Sequence, residues 1–315
     1  MKKIFLLILS LSFLFATQTL SPVKKITFSY YISKVTFNNK YIIAGLENGH
    51  IEIKDIKSQK LLDQITLPKI HDFMGDLIPM PIYSLDILNN NLLILAQGEN
   101  ASRILFIYNI KTKKLSKIFQ TPKTLMQAKF IDKNRIIFAY LSDEIALYNL
   151  KNKKWEYDNQ IGNYVFSVFA LNPSKTMIAL GDESGNVKIA DVKNGKKIKE
   201  IIGFNKDKTI ALSFQKNLIL NASVDQRIAI YDLNGNTKLT LESKFIPYAA
   251  GISPDEKIFA YQMDDKNDIM VKDMNNKPLY ILKGHTMTLN DLEFLNNNTI
   301  ISFSPAEILI WKIKE

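Results

Sequence analysis

Three histidines (His50, His71, His285) and no cysteine make up the imidazole and thiol content of this 315-residue chain. Without Cys there is no thiolate nucleophile, no Cys-bound zinc or iron–sulfur centre, no covalently attached haem and no disulfide. His71 and Asp72 are a nominal acid–base or metal pair, but neighbours in a loop seldom converge on one point. The run Asp264-Asp265-Lys266-Asn267-Asp268 offers oxygens to calcium. Its spacing is not that of an oxygen-ligand loop, however, and Lys266 interrupts it, so it reads as a solvated turn. His285 has no evident orienting partner and reads as structural or solvent-exposed. No catalytic residue, metal site or cofactor is expected.

The formal net charge is +10, yet of 41 basic residues only Arg103, Arg135 and Arg227 are Arg. Readers of phosphates and base edges usually use the guanidinium fork, so the Lys excess does not indicate a nucleic-acid partner.

These residues must be positioned by a repeat. The stretches HIEIKDI (50–56), RILFIYNI (103–110), EIALYNL (144–150), NVKIADV (186–192), RIAIYDL (227–233), DIMVKDM (268–274) and EILIWKI (307–313) align. Their penultimate residues are Asp55, Asn109, Asn149, Asp191, Asp232, Asp273 and Lys312, spaced near 41 residues after a first gap of 54. Seven units of this period, each with room for four short strands A to D, predict an all-β fold, a seven-bladed β-propeller. Tyr108, Tyr148, Tyr231 and Trp311 recur in strand C and read as blade-to-blade packing. Strand C of the sixth unit alternates as a half-buried strand does.

Ile252-Ser253-Pro254-Asp255-Glu256-Lys257 and Asn172-Pro173-Ser174-Lys175 follow strand A, Tyr231-Asp232, Ala190-Asp191 and Trp311 close strand C, and Gly284-His285 precedes strand A of the last unit. In these motifs residues 24–315 resemble degenerate WD40 repeats. The resemblance implies a buried set joining the Gly-His histidine to an acid in the B–C loop. Asp225 occupies the acid's place in the fifth unit. His285 meets Pro305 at that offset, so the set is expected to be broken. The last unit stops after strand C, and Lys25 to Tyr31 alternate in polarity, so an N-terminal strand is expected to pair with the last blade and close the ring.

Residues 1–20 carry Lys2 and Lys3, an apolar run from Ile4 to Phe15, then Ala16 and Thr17, the layout of a signal peptide. Twelve residues span a bilayer poorly. Cleavage after Ala16 is disfavoured by the bulk of Leu14, and an uncleaved anchor is the alternative. Export to the bacterial periplasm is expected, with residues 21–315 as one propeller domain.

The long first interval contains an insertion at about 68–81, between strand D of the first blade and strand A of the second. Its apolar content allows two readings. It is a docking surface with Phe73, Met74 and Met80 as anchors beside His71, or it folds over its own blade. The A–B and C–D turns carry most of the turn lysines, among them Lys57, Lys113, Lys153, Lys196 and Lys257. The B–C loops carry Glu99, Asp143, Asp182, Glu183, Asp225, Asp264, Asp265 and Glu307. A basic face, suited to an anionic membrane surface, is therefore expected opposite an acidic face suited to a partner.

An exported, Lys/Asn/Ile-rich chain of degenerate blades without cofactor residues is similar in make-up to the accessory proteins of bacterial periplasmic nitrate reductase systems. That similarity implies a non-catalytic scaffold whose partner is a nitrate reductase component, serving its assembly or electron supply. The alternatives are a propeller enzyme of the metal-dependent hydrolase or lactonase type and an envelope-assembly scaffold. A funnel metal needs converging acids, and the A strands VFSVFAL (165–171), TIALSF (209–214) and PYAAGIS (247–253) supply almost none. The assembly scaffold would be expected to carry a lipid-anchored Cys.

Overall fold

A computed structural model describes residues 17–313, and the apolar run at the start of the chain lies outside them. Seven antiparallel sheets are arranged as the blades of a ring, so the fold is the seven-bladed β-propeller expected. Blade one runs through Ile32–Phe37, Tyr41–Leu46, His50–Asp55 and Leu61–Thr66, and each later blade repeats this four-strand meander. All seven aligned stretches are strand C of their blades.

Seven apolar clusters each join one blade to the next, and the seventh joins the last blade to the first. The period of two in strand B is what splits a blade between two clusters. In Arg135–Tyr140, Ile136, Phe138 and Tyr140 face blade two while Ile137 and Ala139 face blade four. Strands B and C of most blades are therefore buried on both faces, whereas strand C of blade six, Ile269–Asp273, alternates as the sequence suggested; the fullest alternation belongs to outer strands such as Lys154–Gln160. Tyr108, Tyr148, Tyr231 and Trp311 are all buried in these inter-blade clusters.

Closure follows the expected route with a shorter strand. Lys24–Ile26 pairs antiparallel with Ile308–Ile310 as the outer strand of blade seven, and residues 27–31 lead into blade one. Ile32 N–H donates to Pro305 O at 2.8 Å, tying the first blade to the last. One strand was not anticipated. Gln18–Leu20, at the end of the stretch assigned to the leader, pairs parallel with Tyr280–Leu282 on the outer edge of blade six. The chain thus staples two blades before its first complete repeat begins.

Candidate functional site

Antiparallel blades place all A–B and C–D turns at one end of the ring and all B–C and D–A connections at the other. Large exposed apolar side chains are distributed very unevenly between those ends. Tyr30, Tyr31, Phe73, Met74, Leu77, Leu141, Tyr164, Val165, Ile202, Tyr248 and Met287 all lie in D–A or B–C connections. The other exposed ones, Val23, Leu61, Leu62 and Ile198, lie in outer strands or in the link between the two closing strands, and among the described residues none occupies an A–B or C–D turn.

The insertion is the most prominent part of that end. Ile70–His71 and Leu77–Ile78 form a small hairpin, pairing Ile70 with Ile78 and His71 with Leu77. Its tip is fixed by Asp72, whose Oδ1 accepts the N–H groups of Met74 and Asp76, both at 2.9 Å. Gly75 completes the turn at φ +87°, where a side chain would be strained. The insertion divides into a part that folds over its own blade and a tip that stays exposed. Ile70 and Met80 are buried in the cluster between blades one and two, so Met80 is not an available anchor. Phe73 is 97% exposed and Met74 72% exposed, held out by a turn that is itself hydrogen-bonded. His71 Nδ1 lies 3.0 Å from Glu99 Oε1, and this hydrogen bond holds the Glu99 carboxyl below its ordinary range. His71 thus braces the hairpin against blade two.

The acids expected to form one face are mostly turned inward. Asp143, Asp182 and Glu307 are buried. Asp268, also buried, accepts from Lys283 Nζ at 2.9 Å. Asp225 accepts the N–H groups of Lys206 at 2.8 Å and Arg227 at 3.2 Å, and Asp264 accepts those of Lys266 and Asp268, so both cap loops. Of these acids Glu99, Glu183 and Asp265 stand in solvent, Glu99 beside His71. Lys69, Lys206, Lys208, Lys244 and Lys283 are exposed at this same end. The expected acidic face is therefore reduced and interspersed with lysines, because many of its carboxylates are consumed in satisfying buried N–H and ammonium groups.

The histidine set expected to be broken is largely in place, although His285 Nδ1 makes no hydrogen bond to its acid. Trp311 Nε1 donates to Ser302 Oγ at 2.8 Å, and Ser302 Oγ lies 2.7 Å from His285 Nε2. Glu307, not the residue at position 305, supplies the acid, with Oε1 3.3 Å from His285 Nδ1. Its longer side chain reaches the place that the sequence offset assigned elsewhere. Glu307 also accepts Thr286 N–H at 3.0 Å and pairs with Lys25 of the closing strand at 3.1 Å. Burial pulls His285 down to about 4, so it is neutral at pH 7 and structural in role. Blade five carries a variant: Asn205 Nδ2 donates to Ser223 Oγ at 2.7 Å, Tyr231 Oη lies 3.4 Å from Asn205 Oδ1, and Ser223 Oγ contacts Asp225. Asn and Tyr in place of His and Trp concealed it.

The inner A strands surround a central channel of about 1010 Å³. Contrary to the expectation drawn from the middle blades, its wall is charged. Lys34, Asp86, Lys129, Asp291 and Glu293 project from the A strands of blades one, two, three and seven. Asp86 Oδ2 accepts Phe130 N–H at 2.7 Å, bonding adjacent inner strands. Enclosure by the ring, and then the charge of Glu293, push Asp291 up to about 7. Enclosure likewise raises Asp86 and lowers Lys34. The signal for this lining was present in ISKVTF, IYSLDIL, LMQAKFID and DLEFLN, the A strands of the outer repeats. Among the described residues, no three His, Cys, Asp or Glu side chains gather closely enough to hold a metal ion.

No protein-family model matches the chain, and no curated protein matches it.

Proposed function

We propose that this chain is an exported interaction propeller of WD40-like repeats that docks a partner protein through the end bearing the D–A and B–C connections. The observation that carries this reading is the pair Phe73 and Met74, almost wholly solvated on a turn whose backbone is already fixed. An exposed Phe costs solubility and adds nothing to the fold, whereas a preorganised aromatic anchor gains its burial energy on contact without ordering a loop. The remaining exposed apolar residues of the same end provide surface around that anchor. The similarity in make-up to accessory proteins of periplasmic nitrate reductase makes a component of that system the first partner to test. Calorimetric titration of the purified reductase component into this protein should show binding that Phe73→Asp abolishes. No binding by the unaltered protein would remove that partner, and equal binding by the variant would remove the site.

The charged channel favours a second reading, an enzyme working in the funnel. Asp291, held near neutrality beside Glu293 and Lys129, is a group able to exchange a proton at physiological pH. Metal analysis of the purified protein separates the two, since stoichiometric bound metal supports the enzyme and argues against the scaffold.

A further inference from the structure

Lys188, Asp182 and Asp143 meet where blades three and four face each other, with all three side chains at 0% exposure. Lys188 lies in strand C, Val187–Asp191, and Asp182 ends the paired strand B, Met177–Asp182. Asp143 enters from the B–C turn of blade three. Lys188 Nζ is 2.6 Å from Asp143 Oδ2 and in direct contact with Asp182 Oδ2. The other oxygen of Asp182, Oδ1, accepts both the N–H of Ser184 at 2.8 Å and its hydroxyl at 2.6 Å. Gly162 closes over the group; a Cβ there would lie 2.7 Å from Lys188 Nζ, so the glycine is what lets the chain seal the site from water.

A triad of one ammonium and two carboxylates without solvent is an expensive arrangement. Burial raises the Asp143 carboxyl above its ordinary range. A state in which the ammonium proton had passed to the Asp182 carboxylate, with Asp143 protonated, would carry no isolated charge, and a low-dielectric interior lowers the cost of such a state relative to the ionic one. That state places a free amine against a carboxylic acid whose carbonyl oxygen already faces two donors, next to a third group able to carry protons. These are the requirements of acyl transfer: a nucleophile, a polarised carbonyl and a proton shuttle.

We propose that Lys188 and Asp182 condense into an intramolecular isopeptide bond. Nζ attacks Cγ of Asp182, forming the N–C bond, and the negative charge developing on Oδ1 is held by the two Ser184 donors. Asp143 takes a proton from Nζ and delivers its own to Oδ2, which leaves with the proton it already carries as one water, breaking the C–O bond. Asp143 ends protonated as it began, and no oxidant or cofactor enters. The product replaces buried charge with an amide and covalently joins strands B and C of blade four.

Tryptic digestion of the denatured full-length protein, followed by mass spectrometry, tests this directly. Acylated Lys188 resists trypsin, so the expected peptide spans residues 176–193, is lighter by one water than its sequence requires, and yields no backbone fragments from cleavage between 182 and 188. A peptide spanning 176–188 at full mass would overturn the proposal. So would one lighter by a water but cleaved at Lys188, which is a succinimide at Asp182. Asp143→Asn should return the full-mass 176–188 peptide, and a cross-link persisting in that variant would refute the shuttle. Should the variant fail to fold, the wild-type digest alone decides the bond.

Discussion

At one end of the ring, where strand A joins B and C joins D, the connections repeat; at the other, the links from strand D to the next strand A do not. Six C–D turns begin with the same device. Asp55, Asn109, Asn149, Asp191, Asp232 and Asp273 each accept a turn N–H through Oδ1 at 2.7–3.0 Å. Each turn then passes through one left-handed residue, Gln59, Lys113, Lys153, Gly195, Gly235 or Asn276, with φ between 56° and 84°. Bonds from Ser58 hold Asp55 below its ordinary range, as the Asn236 side chain, against partial desolvation, does for Asp232. The polar residue that marks six of the seven repeats is thus a turn cap, and the lysines around it are the solvated remainder of the same turns. At the opposite end the B–C turns repeat too, with Gly49, Asp143, Gly185, Gln226 and Asn267 each left-handed and bonded back three residues, but the D–A connections share no design: a hairpin follows blade one, short links follow others, and most of the exposed apolar side chains collect there. What recurs in this chain builds the blade; what does not recur carries the exposed apolar tip on which the proposed docking rests.

The largest expected effect concerns the frame that both ends share. Deleting Lys24–Ile26 opens blade seven and removes Lys25 from Glu307, so the variant should aggregate in size-exclusion chromatography. A monomer with an unchanged melting transition would break the closure. The hairpin then offers an internal control. Met80→Ala should cost about 2–5 kcal/mol of unfolding free energy in denaturant titration, since it empties a packed site. Phe73→Asp should leave that titration unchanged while weakening partner binding by more than about tenfold, or about 1.4 kcal/mol. Equal stability losses in the two variants would mean that the tip is part of the core. At the repeating end, Asp191→Ala removes one cap and should cost about 1 kcal/mol with no change in binding.

The smallest effect is a pH dependence from the channel. Asp291 is raised from its ordinary 3.8 to about 7, so the folded state retains a proton that the unfolded chain releases. Its contribution is fully present below pH 3.8 and is lost as the pH rises through 7. With channel water screening the shift, the loss should be on the order of 1 kcal/mol. Asp291→Asn should flatten that part of the stability profile, and an identical slope in the variant would contradict the assignment.

The blades were legible because alternation, period and turn residues are local properties, and strand C was located in all seven repeats from Asp55 to Lys312. The closing strand was legible as an edge that needed covering, but Gln18–Leu20 was not, since three residues carry no periodicity of their own. Side-chain sets across blades were read poorly. Glu307 was missed because an offset was taken as fixed where a longer side chain reaches the same point. The Lys188 triad was missed because Asp143 lies a full repeat away. The acids of the B–C loops looked like a surface because composition does not reveal which carboxylates have buried donors to satisfy. Phe73 and Met74 were separable from Met80 only once the hairpin showed which side chains turn inward.

The division of labour between the two ends can be measured in living cells with a photo-crosslinking amino acid placed in turn at Phe73, Met74 and Ile202, and at Lys57, Lys153 and Lys257. The account predicts a discrete cross-linked partner from the first group and none from the second. Cross-links of equal yield from both groups, or from the lysine turns alone, would contradict it.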